Sequence, residues 1–177
     1  MRTIRIITVA ALVTLLATAI LVAQEKKAPL SPPVKAEATI NGKKITIEYS
    51  SPRMRERKIM GGLVPFDEVW RTGANSATTL TTEAALMIGE LHVPAGKYTL
   101  FTIPSENQWT LIVNKQTGQW GTNYDTSQDL GRVKMNVSKL ESPLEEFTIE
   151  IEQGEGHKGT LSFRWETTEA SVPVMVH

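Results

Sequence analysis

The feature that most constrains this chain is a period-two alternation of apolar and polar residues, which returns repeatedly after Ala36. Ile45, Ile47 and Tyr49 fall on one face of an extended segment, with Lys44, Thr46 and Glu48 on the other. Val133, Met135 and Val137 alternate in the same way with Lys134, Asn136 and Ser138. So do Phe147, Ile149 and Ile151 with Thr148, Glu150 and Glu152, and Leu161, Phe163 and Trp165 with Ser162, Arg164 and Glu166. Side chains alternate across a strand, whereas a helix repeats its apolar face every three to four residues, so these are half-buried strands. Residues 96–104 and 109–114 are more continuously apolar, as strands covered on both faces are.

Turn residues punctuate these runs. Asn41-Gly42 separates two alternating segments, and both residues tolerate the positive φ of a two-residue hairpin turn. Pro94-Ala95-Gly96, Ser105-Glu106-Asn107 and the Gly-rich run from Gly154 to Gly159 supply others. The pattern predicts an all-β domain, an antiparallel β-sandwich of jelly-roll-like form, with about nine strands and at most one or two short helices. One short helix is expected at 65–70, where Pro65 would occupy the first turn. A length of 177 residues allows a single domain, expected over 37–177.

The N-terminus reads differently. Arg2 and Arg5 precede the uncharged run IITVAALVTLLATAILVA, the form of a secretory signal over residues 1–23. An uncleaved anchor is the alternative, because the run approaches the ~20 apolar residues that span a bilayer. Residues 24–36 follow as a charged, then Pro-rich, flexible linker. The expected location is periplasmic or secreted, or else anchored in the inner membrane and facing the periplasm, with the membrane touched only through this segment. The chain has 19 Lys+Arg and 19 Asp+Glu, and removing residues 1–23 leaves an acidic excess of two. Nucleic-acid binding, which needs a basic surplus against phosphate, is not expected. With no cysteine, disulfides, thiolate metal sites, a cysteine nucleophile and a lipoprotein acylated on cysteine are all excluded.

Residues 50–78 break the alternation. So long a connection in a compact β-domain is uncommon and usually functional or mobile. Its apolar residues Ile59, Leu63, Val64, Phe66 and Trp70 predict a loop packed against the core. The run Arg57-Lys58-Ile59-Met60-Gly61-Gly62-Leu63-Val64-Pro65, followed by Val69-Trp70-Arg71-Thr72-Gly73-Ala74-Asn75-Ser76-Ala77-Thr78, resembles the signature of the bacterial domain-of-unknown-function family 2911. The segments 94–104 and 109–114 share the resemblance, which covers roughly 38–175. It implies an exported, β-rich bacterial domain and supplies no activity and no assigned site. The chain departs from the family pattern at Arg55-Glu56-Arg57, where members often look like Arg-Gly-Arg, and at Phe66-Asp67, where they look like Tyr-Gly.

Candidate chemistry lies in the loops. Arg71 and Asn75, four apart around Gly73, could clamp a carboxylate, a phosphate or a sugar hydroxyl pair. The structural alternative pairs Arg71 with Asp67 or Glu68 and turns Asn75 onto loop backbone. Arg57, with Arg53 and Arg55, would extend an anion site or form a solvated face. Trp120 and Tyr124, in a Gly-, Asn- and Thr-rich loop, could stack on a sugar ring, or Trp120 could cap one end of the sandwich. Trp109 and Trp165 fall on strand faces and belong to the core.

Isolated His92, His157 and His177 form no ligand motif, and Asp125 and Asp129 lack the pattern of a calcium loop, so no metal and no cofactor are expected. No nucleophile elbow, P-loop or dinucleotide fingerprint occurs. The reading is an exported binding module for a glycan or small anion. The 50–78 and 118–130 loops would meet at one end to present Arg57, Trp70, Arg71, Asn75, Trp120, Tyr124 and Asp129. The rivals are a hydrolase using the loop carboxylates Asp67, Glu68, Asp125 and Asp129, and a non-catalytic assembly subunit.

Overall fold

The computed structural model describes residues 28–177, so the export segment expected at 1–23 lies outside the described residues. Nine strands follow one another: β1 Pro33–Ile40, β2 Lys43–Ser50, β3 Thr78–Thr82, β4 Leu86–Ile88, β5 Leu91–Val93, β6 Gly96–Ile103, β7 Gln108–Asn114, β8 Asp129–Gln153 and β9 Lys158–Val176. All pair antiparallel in one sheet of order β1-β2-β3-β6-β7-β8-β9-β4-β5. The fold is all-β as expected, and the described residues contain no α-helix, only a 3-10 turn at Thr126–Gln128. Among them, no helix is long and apolar enough to cross a membrane.

One continuous sheet encloses the core by bending over on itself. The segment just beyond β2 reaches the free edge of β8, although β3, β6 and β7 stand between those strands in the sheet. Met54 N donates to Glu145 O at 2.8 Å and Phe147 N to Pro52 O at 2.9 Å. The Ser51 hydroxyl adds a bond to Phe147 O at 2.7 Å, and Ile149 N donates to Tyr49 Oη at 3.1 Å. The bend in β8 falls at register shifts between Lys139, Leu144 and Thr148. Opposite it, Glu166 of β9 takes φ 55°. Such a residue re-aims a long strand so that its two halves serve two layers.

The inward faces are those of the sequence pattern. Ile45, Ile47, Val133, Met135, Phe147, Ile149, Leu161 and Phe163 are buried in one cluster with Trp109 and Trp165. Fully burying such a side chain is worth about 1.5–3 kcal/mol, so the cluster supplies the main stabilisation of a domain without disulfides. The Asn41-Gly42 turn has φ 50° and 70° and joins β1 to β2, as its sequence requires.

Two expectations are corrected. The linker ends sooner than residue 36, because β1 starts at Pro33, opposite Ser50. Proline is tolerated there because it opens a strand at the sheet edge. The helix expected at 65–70 is absent. Asp67 takes φ 61° and donates its N–H to Pro104 O at 2.8 Å, and Trp70 exchanges backbone bonds with Thr102 at 2.7 and 2.9 Å. Tertiary pairing to the end of β6 thus satisfies the backbone that a helix would have used.

Candidate functional site: an arginine-lined cleft

The 50–78 and 118–130 loops do meet. Ser76 and Trp120 form an antiparallel bridge, Gly121 N donates to Asn75 O at 3.0 Å, and Ala77 N donates to Gln119 O at 3.3 Å. Beside this clasp opens a cleft of about 700 Å³, within the range of small-ligand sites. Arg53, Arg55 and Arg57 line it, together with Leu30 and Ser31 from ahead of β1. Arg71, Leu63, Val64 and Val69 of the 50–78 loop and Gly121, Thr122 and Tyr124 of the 118–130 loop line it too. Trp70, Phe101 and Trp165 contribute an aromatic lining.

The 50–78 loop is held down at its apolar positions. Ile59 and Val64 are buried, and Trp70 stacks on Trp165 with ring centroids 5.9 Å apart. Trp70 also meets Phe147 edge-on at 4.9 Å and Trp109 at 6.2 Å. The Glu166 carboxylate accepts from Met60 N at 3.1 Å and Ile59 N at 3.4 Å, tying the turn ahead of Leu63 to the bend in β9. Leu63 departs from expectation: it stays 47 % exposed, at the cleft.

Among the described residues, four arginines line the cleft and no carboxylate does. Arg53 pairs with Glu146. Arg55 donates to Leu30 O at 2.7 Å, and Arg57 to Met54 O at 2.9 Å and Arg53 O at 2.7 Å. These bonds to neutral carbonyls orient two guanidinium groups, and the Glu145 carboxylate accepts from the Arg55 backbone N–H at 2.9 Å. The half-buried Arg71 side chain has no hydrogen bond or ion pair among the described residues, so the expected alternative of pairing with Asp67 or Glu68 is not what the structure shows. The following residue, Thr72, is fully buried at φ 54°, a genuine outlier for a β-branched side chain. Its hydroxyl contacts Thr102 Oγ1 at 3.1 Å, and its carbonyl accepts from Thr78 Oγ1 at 2.7 Å. Next to it, a Cβ on Gly73 (φ 149°) would lie 3.0 Å from Ser50 O. The backbone carrying Arg71 is therefore fixed.

Tyr124 lines the cleft, its ring is edge-on to Phe101 at 4.9 Å, and its hydroxyl is engaged by Asp129 and Arg132. Tyr124 Oη donates to Asp129 Oδ2 at 2.7 Å and accepts from Arg132 at 2.8 Å. Arg132 also donates to Asp129 Oδ2, at 2.9 and 3.0 Å, and Asn114 Nδ2 donates to Asp129 Oδ1 at 2.9 Å. Burial holds the Tyr124 phenol above its ordinary pKa, and the adjacent Asp129 carboxylate adds to the rise.

Of the residues singled out in the sequence, Arg57, Trp70, Arg71 and Tyr124 line the cleft, and Asn75, Trp120 and Asp129 do not. Asn75 is exposed and engages Gly121 through its carbonyl; Trp120 is 52 % exposed beside the clasp. Asp129 acts behind Tyr124, and Asp125 accepts from Ser127 N and Oγ at 2.9 and 2.7 Å. Asp67, Glu68, Asp125 and Asp129 are all outside the lining. Among the described residues, no cluster of His, Asp and Glu could hold a metal ion. Leu30 and Val69, 64 % and 41 % exposed, are cleft residues that the sequence reading missed. Their signal would have been apolar residues with no periodic partner, but residue type does not report exposure.

Residues 31–174 match the family described as protein of unknown function, DUF2911. No curated protein and no solved structure matches the chain.

Proposed function

The chain belongs to the DUF2911 family, and we propose that it is an exported cell-envelope domain that binds a small anion in the Arg71 cleft. The observation that carries this reading is the half-buried Arg71, whose guanidinium has no partner among the described residues, in a cleft that those residues line with four arginines and no carboxylate. A planar fork with five donors matches a carboxylate or phosphate in bidentate geometry. Glu146 offsets Arg53 and Glu145 bonds the backbone of Arg55, but no described carboxylate reaches the Arg71 guanidinium, which leaves the ligand as its natural counter-ion. Export rests on Arg2 and Arg5 followed by the uncharged run to Ala23.

A glycan fits this cleft less well: sugar rings are held by aromatic faces beside amides and carboxylates, and the described lining has aromatic residues but no amide or carboxylate side chain. Glycoside hydrolysis needs two carboxyl groups across the scissile bond, and the described residues bring none to the cleft lining.

Isothermal titration against small carboxylates, inorganic phosphate and envelope sugars tests the reading. The expected result is saturable binding of an anion, weakened at least tenfold by Arg71→Ala and little changed by Trp120→Ala. An Arg71→Ala protein that keeps every detected affinity would overturn it.

A further inference from the structure

We infer that the ligand is an amphipathic anion: a carboxylate or phosphate head held by Arg71, carrying an aliphatic or aromatic body that lies against Leu30, Leu63 and Val69. The inference rests on the anion reading above and specifies its ligand class.

Six large apolar side chains are exposed among the described residues, and three of them, Leu30, Leu63 and Val69, line this one cleft. Scattered exposed apolar residues need no explanation, but three on one concave site, from the segment ahead of β1 and from the 50–78 loop, do. Leu30 comes from ahead of β1, and its carbonyl is fastened by Arg55 at 2.7 Å. Leu63 follows the Gly61-Gly62 turn, which is tied to the core through Glu166 and Met60 N. Val69 directly precedes the stacked Trp70. Each is therefore an apolar group presented to solvent on an anchored backbone.

Arg71 supplies the opposite chemistry in the same cleft. Its side chain is confined where it passes Gly121, since a Cβ there would lie 2.5 Å from Arg71 Cδ. A small inorganic ion would satisfy the guanidinium and leave the three apolar side chains wet. A neutral apolar molecule would cover them and leave the guanidinium without a counter-ion. A ligand with both parts satisfies both, and a cleft of about 700 Å³ is roomy for a bare anion.

The test is a titration of the full-length chain with acetate, butanoate, hexanoate and octanoate, and with octanol, at one ionic strength. Affinity is expected to rise with chain length by up to about fourfold per buried methylene until the cleft is filled. Octanoate should bind at least tenfold more tightly than octanol. Leu63→Ser with Val69→Ser, both at exposed positions, should reduce the ratio of octanoate to acetate affinity at least fivefold. Inorganic phosphate against hexyl phosphate repeats the comparison for the other head group. Equal affinities for acetate and octanoate, or for phosphate and hexyl phosphate, would overturn the amphipathic ligand and leave the anion reading standing. Equal affinities for octanol and octanoate would overturn the role of Arg71 as head-group partner. Failure of every anion to bind would instead overturn the underlying reading.

Discussion

Arg71 and Gly121 are mutually dependent: a Cβ at residue 121 would lie 2.5 Å from Arg71 Cδ and 2.7 Å from the carbonyl oxygen of Asn75. The glycine thus gives the guanidinium its path along the cleft and lets the 118–130 loop close on the 50–78 loop. Gly121→Ala is expected to destabilise the domain by about 1–3 kcal/mol, the usual effect of overpacking. It should also weaken anion binding although the charge of Arg71 is untouched. Denaturant unfolding and titration calorimetry on the variant check both parts; unchanged affinity would show that Arg71 does not need this path.

Glu56 and Asp67 take φ 60° and 61°, and these are the two positions at which the chain departs from the glycines of the family it resembles. A left-handed backbone costs an ordinary residue about 1–2 kcal/mol, partly offset by the larger entropy that glycine loses on folding. Glu56→Gly is expected to raise stability by up to about 1 kcal/mol. Asp67→Gly should give less, because aspartate tolerates this region better than glutamate. Thermal unfolding of the two single variants measures the order; a loss of stability in Glu56→Gly would contradict it.

Glu166 combines a positive φ with a carboxylate that accepts from Ile59 N and Met60 N. Removing the acceptor leaves two largely buried N–H groups unsatisfied, so Glu166→Ala should cost about 1–3 kcal/mol. Amide exchange at Ile59 and Met60 should accelerate in the same variant. Glu166→Gln, which keeps one acceptor oxygen, should recover part of the loss.

Burial of the Tyr124 phenol, with the Asp129 carboxylate adding to it, sets a pH dependence. The folded state holds the phenol proton more tightly than the unfolded chain, so its contribution to stability is complete below the ordinary value of 10. That contribution is lost as pH rises through the raised value. Asp129→Asn removes the neighbouring negative charge and should bring Tyr124 ionisation to lower pH. Absorbance titration near 295 nm, with Tyr124→Phe as the subtraction reference, reads the shift; identical curves would detach Asp129 from the phenol.

How far this structure was legible follows from which forces act locally. The Asn41-Gly42 hairpin and the inward faces of β2, β8 and β9 were legible because turn chemistry and alternation are local. The continuity of β8 was not: residues 141–146 are exposed at the bend, so no buried face imposes a pattern there. The three-residue strands β4 and β5 are too short to show a period. Within the site, Arg57, Trp70, Arg71 and Tyr124 were recognisable from residue type in an aperiodic loop. Leu63 read as a packing anchor because an apolar loop residue normally is one, and only the folded chain shows that Val64 is buried and Leu63 is not. Asp129 read as a ligand residue because its bond to Tyr124 requires the start of β8 to lie beside the loop.

The most direct test of the Arg71 cleft is the dissociation constant of one carboxylate, hexanoate, measured for the wild type and Arg71→Gln at low ionic strength. Glutamine keeps a polar side chain while removing the charge and the fork, and a charge-assisted hydrogen bond is worth about 1.5–3 kcal/mol. The expected result is saturable one-to-one binding that weakens roughly tenfold to a hundredfold in Arg71→Gln. The same dissociation constant in both proteins would contradict the assignment of Arg71 as the anion's partner.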